Sequence, residues 1–122
     1  MDLQTERRLE KFLQLSAIPM VRIDPRMEFH MPPLHFYIEY MNSRVVFTMS
    51  RTVEHPHRAS TFKTLLSLCH PARTQGIPLR AYMISERLFL SLSPAPEHDV
   101  RHWLACYQTM RRLLEAHFSG AQ

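Results

Sequence analysis

Glycine and cysteine are both scarce in this chain of 122 residues, which contains two of each. A loop that cradles phosphate groups needs glycines, because backbone amides must approach the ligand closely, and no stretch of the sequence supplies such a loop. Cys69 and Cys106 each fall on an apolar helical stripe, which predicts buried thiols rather than a disulfide or a nucleophile. No serine is flanked by the small residues that form the sharp turn around the nucleophilic serine of a hydrolase. We therefore expect neither an enzyme nor a bound cofactor.

Metal-ligand clusters are also lacking. The stretch "HDVRH" at 98–102 imitates the helical zinc-protease pattern, but its acid is Asp99 rather than a glutamate, and no third ligand follows. The stretch "HPH" at 55–57 and the Cys69–His70 pair could also bind a metal, but neither is followed by a second pair of ligands at zinc-finger spacing. The sequence therefore predicts no metal site.

Long apolar runs are absent as well. No run is long enough to span a bilayer, and the first residues are charged, unlike a secretory signal. The chain is 45% hydrophobic and 21% charged, which is ordinary for a globular protein. We expect a cytoplasmic protein with a single domain over residues 1–122.

Lysine is nearly missing, although the chain is basic. Lys11 and Lys63 are the only lysines among fifteen cations, and the formal net charge is +4. Arginine favours planar contacts with carboxylates or phosphates. Because the cations are scattered rather than gathered into a stripe, nucleic-acid binding is not favoured. A small basic nucleic-acid-binding or regulatory module remains the alternative interpretation, since a basic sheet carries four aromatic side chains that could stack on bases: Phe29, His35, Phe36 and Tyr37.

The apolar periodicity predicts an α+β fold in the order helix–β–β–β–helix–β–β–helix, with helices packed on an antiparallel sheet. The predicted helices cover residues 3–17, 57–73 and the segment after Pro96, and the predicted strands cover 27–31, 34–41, 44–53, 79–84 and the alternating residues up to Ser93. Prolines on both sides of strand 27–31 indicate an edge strand.

Apolar residues exceed what one small core needs. The hairpin at 77–93 is apolar on parts of both faces, and the helix at 57–73 carries two apolar stripes. A second chain could cover this surplus, or the three helices could cover both sheet faces within one chain. The eight methionines fit either an adaptable binding surface or gaps in the core.

The segment "GIPLRAYMISERLFLSLS" (76–93), the helix "VRHWLACYQTMRRLLEAH" (100–117) and the order of elements resemble the class I chaperones of bacterial type III secretion. The likeness is strongest to the small subunits of heterodimeric chaperones for the gatekeeper protein. It implies a non-enzymatic, cytoplasmic bacterial protein that binds the amino-terminal region of a secreted effector or gatekeeper and keeps it export-competent.

The resemblance also implies a dimer, either with a second copy or with a sister chaperone. By position, it suggests client contacts at Leu3, Leu15, Met27, Phe29 and Met31. It suggests a dimer interface that includes Leu65, Leu68, Leu79, Tyr82 and Ile84. Chaperones of this family are usually acidic, whereas this chain is basic, and an acidic partner would explain the difference.

Overall fold

The computed structural model of the protein describes residues 1–19 and 21–119, which form three α-helices, one short 3₁₀ helix and one five-stranded antiparallel sheet. The helices are α1 (Leu3–Leu15), α2 (Arg58–Leu68) and α3 (Val100–Ser119), with the 3₁₀ turn His55–His57 before α2. The strands are β1 (Arg26–Met31), β2 (Leu34–Met41), β3 (Arg44–Thr52), β4 (Arg80–Ile84) and β5 (Arg87–Leu92). The predicted α+β class and order of elements are confirmed.

The strand order in the sheet is β1-β2-β3-β5-β4. Strands β1 and β4 are therefore the two edges, and the edge position predicted for residues 27–31 is confirmed. The registers align the core residues across the sheet: Phe36 lies opposite Phe29 on one side and Met49 on the other, and Met49 lies opposite Leu90. Because side chains alternate along each strand, this row points to one face of the sheet.

Aromatic rings from four elements meet at the centre of the core. Phe12 of α1 stacks on Phe47 of β3, with ring centroids 5.0 Å apart, and meets Tyr107 of α3 edge-on at 5.7 Å. The ring of Phe36 lies 6.2 Å from Phe12 and 5.0 Å from Tyr107. Trp103 lies edge-on to Phe47 at 5.7 Å. Helices α1 and α3 thus pack on the same face of the sheet.

Helix α2 is shorter than the sequence predicts. It ends at Leu68 instead of residue 73, because the following residues form turns, with the amide of Arg73 donating to His70 O at 2.8 Å and that of Gly76 to Pro71 O at 2.8 Å. Gly76 has a φ of 83°, which only glycine adopts without strain. The helix packs against α3 and β4 and contributes Leu65 to the core.

Both thiols are free and buried, as the sequence predicts. Cys106 on α3 is fully buried, and burial raises the pKa of its thiol to about 11. The pKa of Cys69 is also raised by burial. Neither thiol is therefore ionised near neutral pH, so neither has the character of a nucleophile.

Helix α1 ends two residues earlier than predicted, at Leu15 rather than residue 17. Ala17 adopts a left-handed conformation with a φ of 58°. Its amide donates to Gln14 O at 3.3 Å, and the amide of Ile18 donates to Leu13 O at 3.1 Å. These two bonds form a Schellman end, in which glycine is the usual residue at the left-handed position. Among residues 1–19 and 21–119, the non-glycine residues with a left-handed conformation are Ala17, Asn42, Ser43, Gln75 and Ser85.

We expect Ala17→Gly to raise the free energy of unfolding by about 0.5–1 kcal/mol. The left-handed conformation costs a residue with a Cβ about 1–2 kcal/mol, and the added freedom of glycine in the unfolded chain offsets roughly half of that gain. Urea unfolding followed by circular dichroism measures the change. The matched variant Ala105→Gly, at an exposed position inside α3, should instead lose about 1 kcal/mol. A loss of stability in Ala17→Gly would contradict the assigned helix end.

Candidate protein-binding face

The face of the sheet opposite α1 and α3 is the candidate site, and we call it the open face. It is formed by the strand side chains that alternate with the core residues and point to the other side of the sheet: Arg26, Glu28, His30, His35, Tyr37, Glu39, Val46, Thr48, Ser50, Arg80, Tyr82, Ile84, Arg87, Phe89 and Ser91. A concave groove of about 510 Å³ lies on this face and is lined by strand residues alone. We call it the aromatic groove.

Aromatic side chains form the walls of this groove. Tyr82 of β4 lies directly opposite Phe89 of β5, and their rings stack with centroids 5.2 Å apart and planes 3° apart. Tyr37 of β2 lines the other side, and Thr48 of β3, its register partner, lies between the two walls. All three rings are half-buried. They can therefore pack against an apolar side chain from another molecule, which is the usual role of partly exposed aromatics at interfaces.

Charged side chains close the β1 end of the groove. Arg26 and Glu39 form an ion pair across β1 and β2, with Nε and Oε2 3.4 Å apart, and Glu28 lies beside them. The side chain of Arg26 is 84% exposed, so the pair contributes little to stability and is available to a ligand. The groove therefore combines an apolar wall with polar groups at one end, which suits a peptide better than a purely apolar ligand.

Arg87 fixes the neighbouring part of the open face. It donates to Ser50 Oγ from Nη2 at 2.7 Å and from Nε at 3.2 Å, and to Thr52 Oγ1 from Nη1 at 3.1 Å. Ser50 is fully buried, and its hydroxyl accepts both of these bonds from Arg87. The Arg87 side chain therefore lies across β3 and links β5 to β3 beside Phe89.

Two histidines, His30 of β1 and His35 of β2, lie next to Tyr37 on the open face. The rings of His30 and His35 lie 4.2 Å apart, and Nδ1 of His35 is 3.3 Å from the hydroxyl of Tyr37. Burial lowers the pKa of His35, and the charges of Arg87 and His30 lower it further, while Glu28 acts in the opposite direction. The His35 ring is thus favoured in its neutral form and adds to the uncharged surface beside the groove.

The predicted client contacts divide into exposed and buried residues. Leu3 and Leu15 on α1 are 60% and 44% exposed. Met31 is half-buried, with its Sδ 3.6 Å from the hydroxyl of Tyr107. Met27 and Phe29, however, are only 7% exposed, because β1 turns them toward the helices, where the ring of Phe29 packs on Phe36. Both side chains belong to the core, although Met27 also lines the aromatic groove. We do not retain Phe29 as a direct contact.

The residues predicted for the dimer interface also divide into buried and exposed ones. Leu65 is fully buried inside the chain, so its side chain has no free surface for a partner, and it is not retained. Leu68 and Leu79 are half-buried against the core. Tyr82 and Ile84 lie on the open face, and Ile84 is 58% exposed. The structure therefore brings two of these five residues to the candidate site.

Other kinds of site find little support in the described part of the chain. Within residues 1–19 and 21–119, no three His, Cys, Asp or Glu side chains come together as a metal site would require. His98 and His102, from the "HDVRH" stretch, stack on each other with centroids 3.8 Å apart. Over the same residues, no helix has the length and apolar character required to cross a bilayer.

Comparison with known proteins assigns the family. The SsaM family profile matches residues 2–117. The chain belongs to the SsaM family. Among curated proteins, it is similar to the secretion system apparatus protein SsaM of Salmonella typhimurium, with 27% identity over 115 residues that cover 94% of this chain and 93% of that protein. This membership supports the coarse part of the sequence-based resemblance, a protein related to type III secretion.

Among solved structures, the fold is similar to that of YbjN from E. coli. The TM-score is 0.60, and the match covers 96% of this chain and 88% of YbjN. At 10% sequence identity, the likeness concerns the fold alone.

Two residues of the aromatic groove, Phe89 and Tyr37, were not predicted from the sequence as protein contacts. Phe89 alternates with the core residues Leu88 and Leu90, so its side chain points to the open face. Tyr82 lies directly opposite it in the hairpin, which places both rings on that face. This alternation was the signal that could have revealed the groove. Tyr37 was considered only as a residue that could stack on a nucleic-acid base.

Proposed function

We propose that this member of the SsaM family is a chaperone-like subunit of type III secretion. It binds an extended segment of a secreted effector or gatekeeper protein on the open face and keeps that segment export-competent, without catalysing a reaction. The observation that supports this proposal best is the arrangement of the sheet, in which α1 and α3 gather on one face while the other presents the stacked Tyr82–Phe89 pair in a groove.

The β1 edge gives an extended segment a place to begin. A partner strand can pair with the free backbone groups of an edge strand, while pockets for alternate side chains provide selectivity. Arg26 and Glu28 of β1 line one end of the aromatic groove, so a segment bound along β1 reaches the groove directly. Where the segment leaves β1 and crosses the open face toward β5 and β4, an apolar side chain further along it would pack on Tyr82 and Phe89, while polar groups stay near the Arg26–Glu39 pair.

The exposed leucines of α1 extend the proposed contact. Leu3 and Leu15 lie on a helix that packs on the opposite side of the sheet, so a segment would reach them by wrapping around the β1 edge. Such wrapping spreads binding over several weak contacts, as expected for a partner held in a non-globular form. We propose these leucines as secondary contacts.

The charge of the groove does not favour the nucleic-acid alternative. Glu28 and Glu39 line the same end of the aromatic groove as Arg26, and they would repel the phosphates of a strand stacked on the aromatic rings. A protein segment can satisfy both signs of charge, because it offers amides and side chains of either sign.

The test compares capture by Tyr82→Ser/Phe89→Ser with capture by Leu15→Ser, an exposed apolar position on α1. Each tagged chain replaces the original in its own bacterium, and the secretion-system proteins that co-purify are quantified by mass spectrometry, together with the proteins released into the medium. We expect the double variant to lose its secretion partner and to reduce release, while Leu15→Ser retains most of both. Unchanged capture by a folded double variant would contradict the proposal.

A further inference from the structure

A small cavity lies where the first turn of α1, the turn between β2 and β3, and the loop between β5 and α3 meet. Its volume is about 250 Å³, and it shares no lining residue with the aromatic groove. Trp103 of α3 forms part of its lining, so the cavity lies on the side of the sheet that α1 and α3 cover. We call it the tryptophan cavity.

The indole N–H of Trp103 lacks an acceptor. Trp103 is only 3% exposed, and its Nε1 is shielded from solvent without a hydrogen-bond partner in the described part of the chain. This nitrogen can only donate, and a buried donor without an acceptor is unfavourable. Because buried tryptophans usually have a partner for this group, Trp103 indicates an acceptor that comes from another molecule.

The guanidinium of Arg8 lies beside this unpaired group. Its Cζ is 4.5 Å from the centroid of the Trp103 ring, in a cation–π contact. Arg8 donates from Nη1 to Pro96 O at 3.5 Å and from Nη2 to His98 O, which holds the guanidinium at the cavity. A guanidinium has five N–H groups, so Nε and one N–H on each terminal nitrogen remain available to an acceptor.

Arg44 brings a second guanidinium to the tryptophan cavity. It donates from Nη2 alone, to Ser93 O and Pro94 O at 3.3 Å each, so its Nε and Nη1 also remain available. Within residues 1–19 and 21–119, neither Arg8 nor Arg44 forms an ion pair. Asp2 is the one carboxylate among the lining residues, so two cations and one anion leave a charge of +1. One bound monoanion would neutralise this charge.

We propose that the tryptophan cavity binds a single carboxylate group. The planar guanidinium groups match the two oxygens of a carboxylate, and one of these oxygens would accept the indole N–H of Trp103. A phosphate is the less suitable ligand, because it carries more negative charge near neutral pH and Asp2 would repel it more strongly. This site lies outside the open face, and the proposal does not depend on the chaperone role.

Trp103 makes the proposal directly testable, because it is the only tryptophan of the chain. Its indole N–H therefore gives a single resonance in the ¹H–¹⁵N spectrum of the ¹⁵N-labelled protein. Sodium acetate, sodium phosphate and sodium chloride are titrated at neutral pH and equal ionic strength. We expect acetate to move this resonance with saturation, phosphate to do so only at higher concentrations, and chloride to leave it in place. No saturable movement with acetate, equal movement with chloride, or movement at lower concentrations of phosphate would overturn the proposal.

Arg44→Gln supplies a variant that should stay folded, because Arg44 is exposed. It should raise the acetate concentration at half-saturation by about tenfold, as expected for the loss of a charged hydrogen-bond donor. Arg7→Gln, at an exposed position of α1 outside the cavity, should change that concentration by less than about twofold. Equal effects of these two variants would overturn the proposal.

Two further measurements define the site. Tyr82→Ser/Phe89→Ser should leave the acetate response unchanged, which separates this site from the open face, and loss of the response in that variant would overturn the proposal. A blocked Gly-Glu-Gly tripeptide distinguishes the two sources of a carboxylate. A response to the tripeptide as well as to acetate supports binding of an acidic side chain of another protein, whereas a response to acetate alone supports binding of a small free acid.

Discussion

Phe12→Ala is expected to lower the free energy of unfolding by about 3–5 kcal/mol, which is a large part of the stability of a domain this small. Phe12 is fully buried and contacts four aromatic rings from β2, β3 and α3: Phe36, Phe47, Trp103 and Tyr107. Truncation removes the stacked and edge-on contacts together and leaves a cavity among rigid rings that cannot collapse to fill it. Urea unfolding followed by circular dichroism measures the loss.

Leu15→Ala provides the comparison for this prediction, because Leu15 lies on the same helix but is 44% exposed. Its free energy of unfolding should change by no more than about 0.5 kcal/mol. If Phe12→Ala costs less than about 1 kcal/mol, α1 does not pack on the sheet as described, and the distinction between a covered and an open face fails with it.

Tyr82→Ser/Phe89→Ser is expected to weaken binding of the captured secretion partner by about 100-fold or more. Aromatic side chains at the centre of an interface commonly contribute about 2 kcal/mol or more each when truncated, and each 1.4 kcal/mol corresponds to a factor of ten in affinity. The two rings form one stacked surface, so the two losses are not fully additive. Calorimetric titration of the partner that co-purifies with the original chain gives the affinity.

The double variant should remain folded, which makes the result interpretable. Tyr82 and Phe89 are half-buried on the open face and take no part in the ring cluster around Phe12. The stability loss is that of their mutual stacking, about 0.5–1.5 kcal/mol, together with about 1 kcal/mol for the half-buried apolar area of each ring. Leu15→Ser should weaken binding by less than about tenfold, as a secondary contact. If Leu15→Ser weakens binding as strongly as the double variant, the partner depends on α1 rather than on the aromatic groove.

Much of the fold could be predicted from the sequence, because alternation and helical spacing are local properties. The strand Leu34–Met41 was predicted with the bounds that the structure gives, and the prolines around β1 indicated its edge position correctly. The ends of α1 and α2 were placed too late. Both ends depend on backbone hydrogen bonds in turns, around Ala17 and around Gly76, which residue spacing does not reveal.

The candidate site was harder to predict, since alternation tells which residues share a face but not which face the helices cover. Phe29 was suggested as a client contact by its position in the resemblance, yet its ring packs on Phe36 in the core. Leu65 was expected at an interface because α2 has two apolar stripes, yet it fills the core. Tyr82 was predicted for a dimer interface, which stays a prediction, and it lies half-buried on the open face. Phe89, whose ring stacks on Tyr82, could be identified only from the register of the hairpin.

The central claim is that the partner covers the open face of the sheet. Hydroxyl-radical footprinting of the free chain and of its complex with the co-purifying secretion partner tests this most directly, because it reports the accessibility of individual side chains. The account predicts that Tyr37, Tyr82 and Phe89 are oxidised in the free chain and protected in the complex. Equal oxidation of these three rings in both states, with protection confined to other residues, would contradict it.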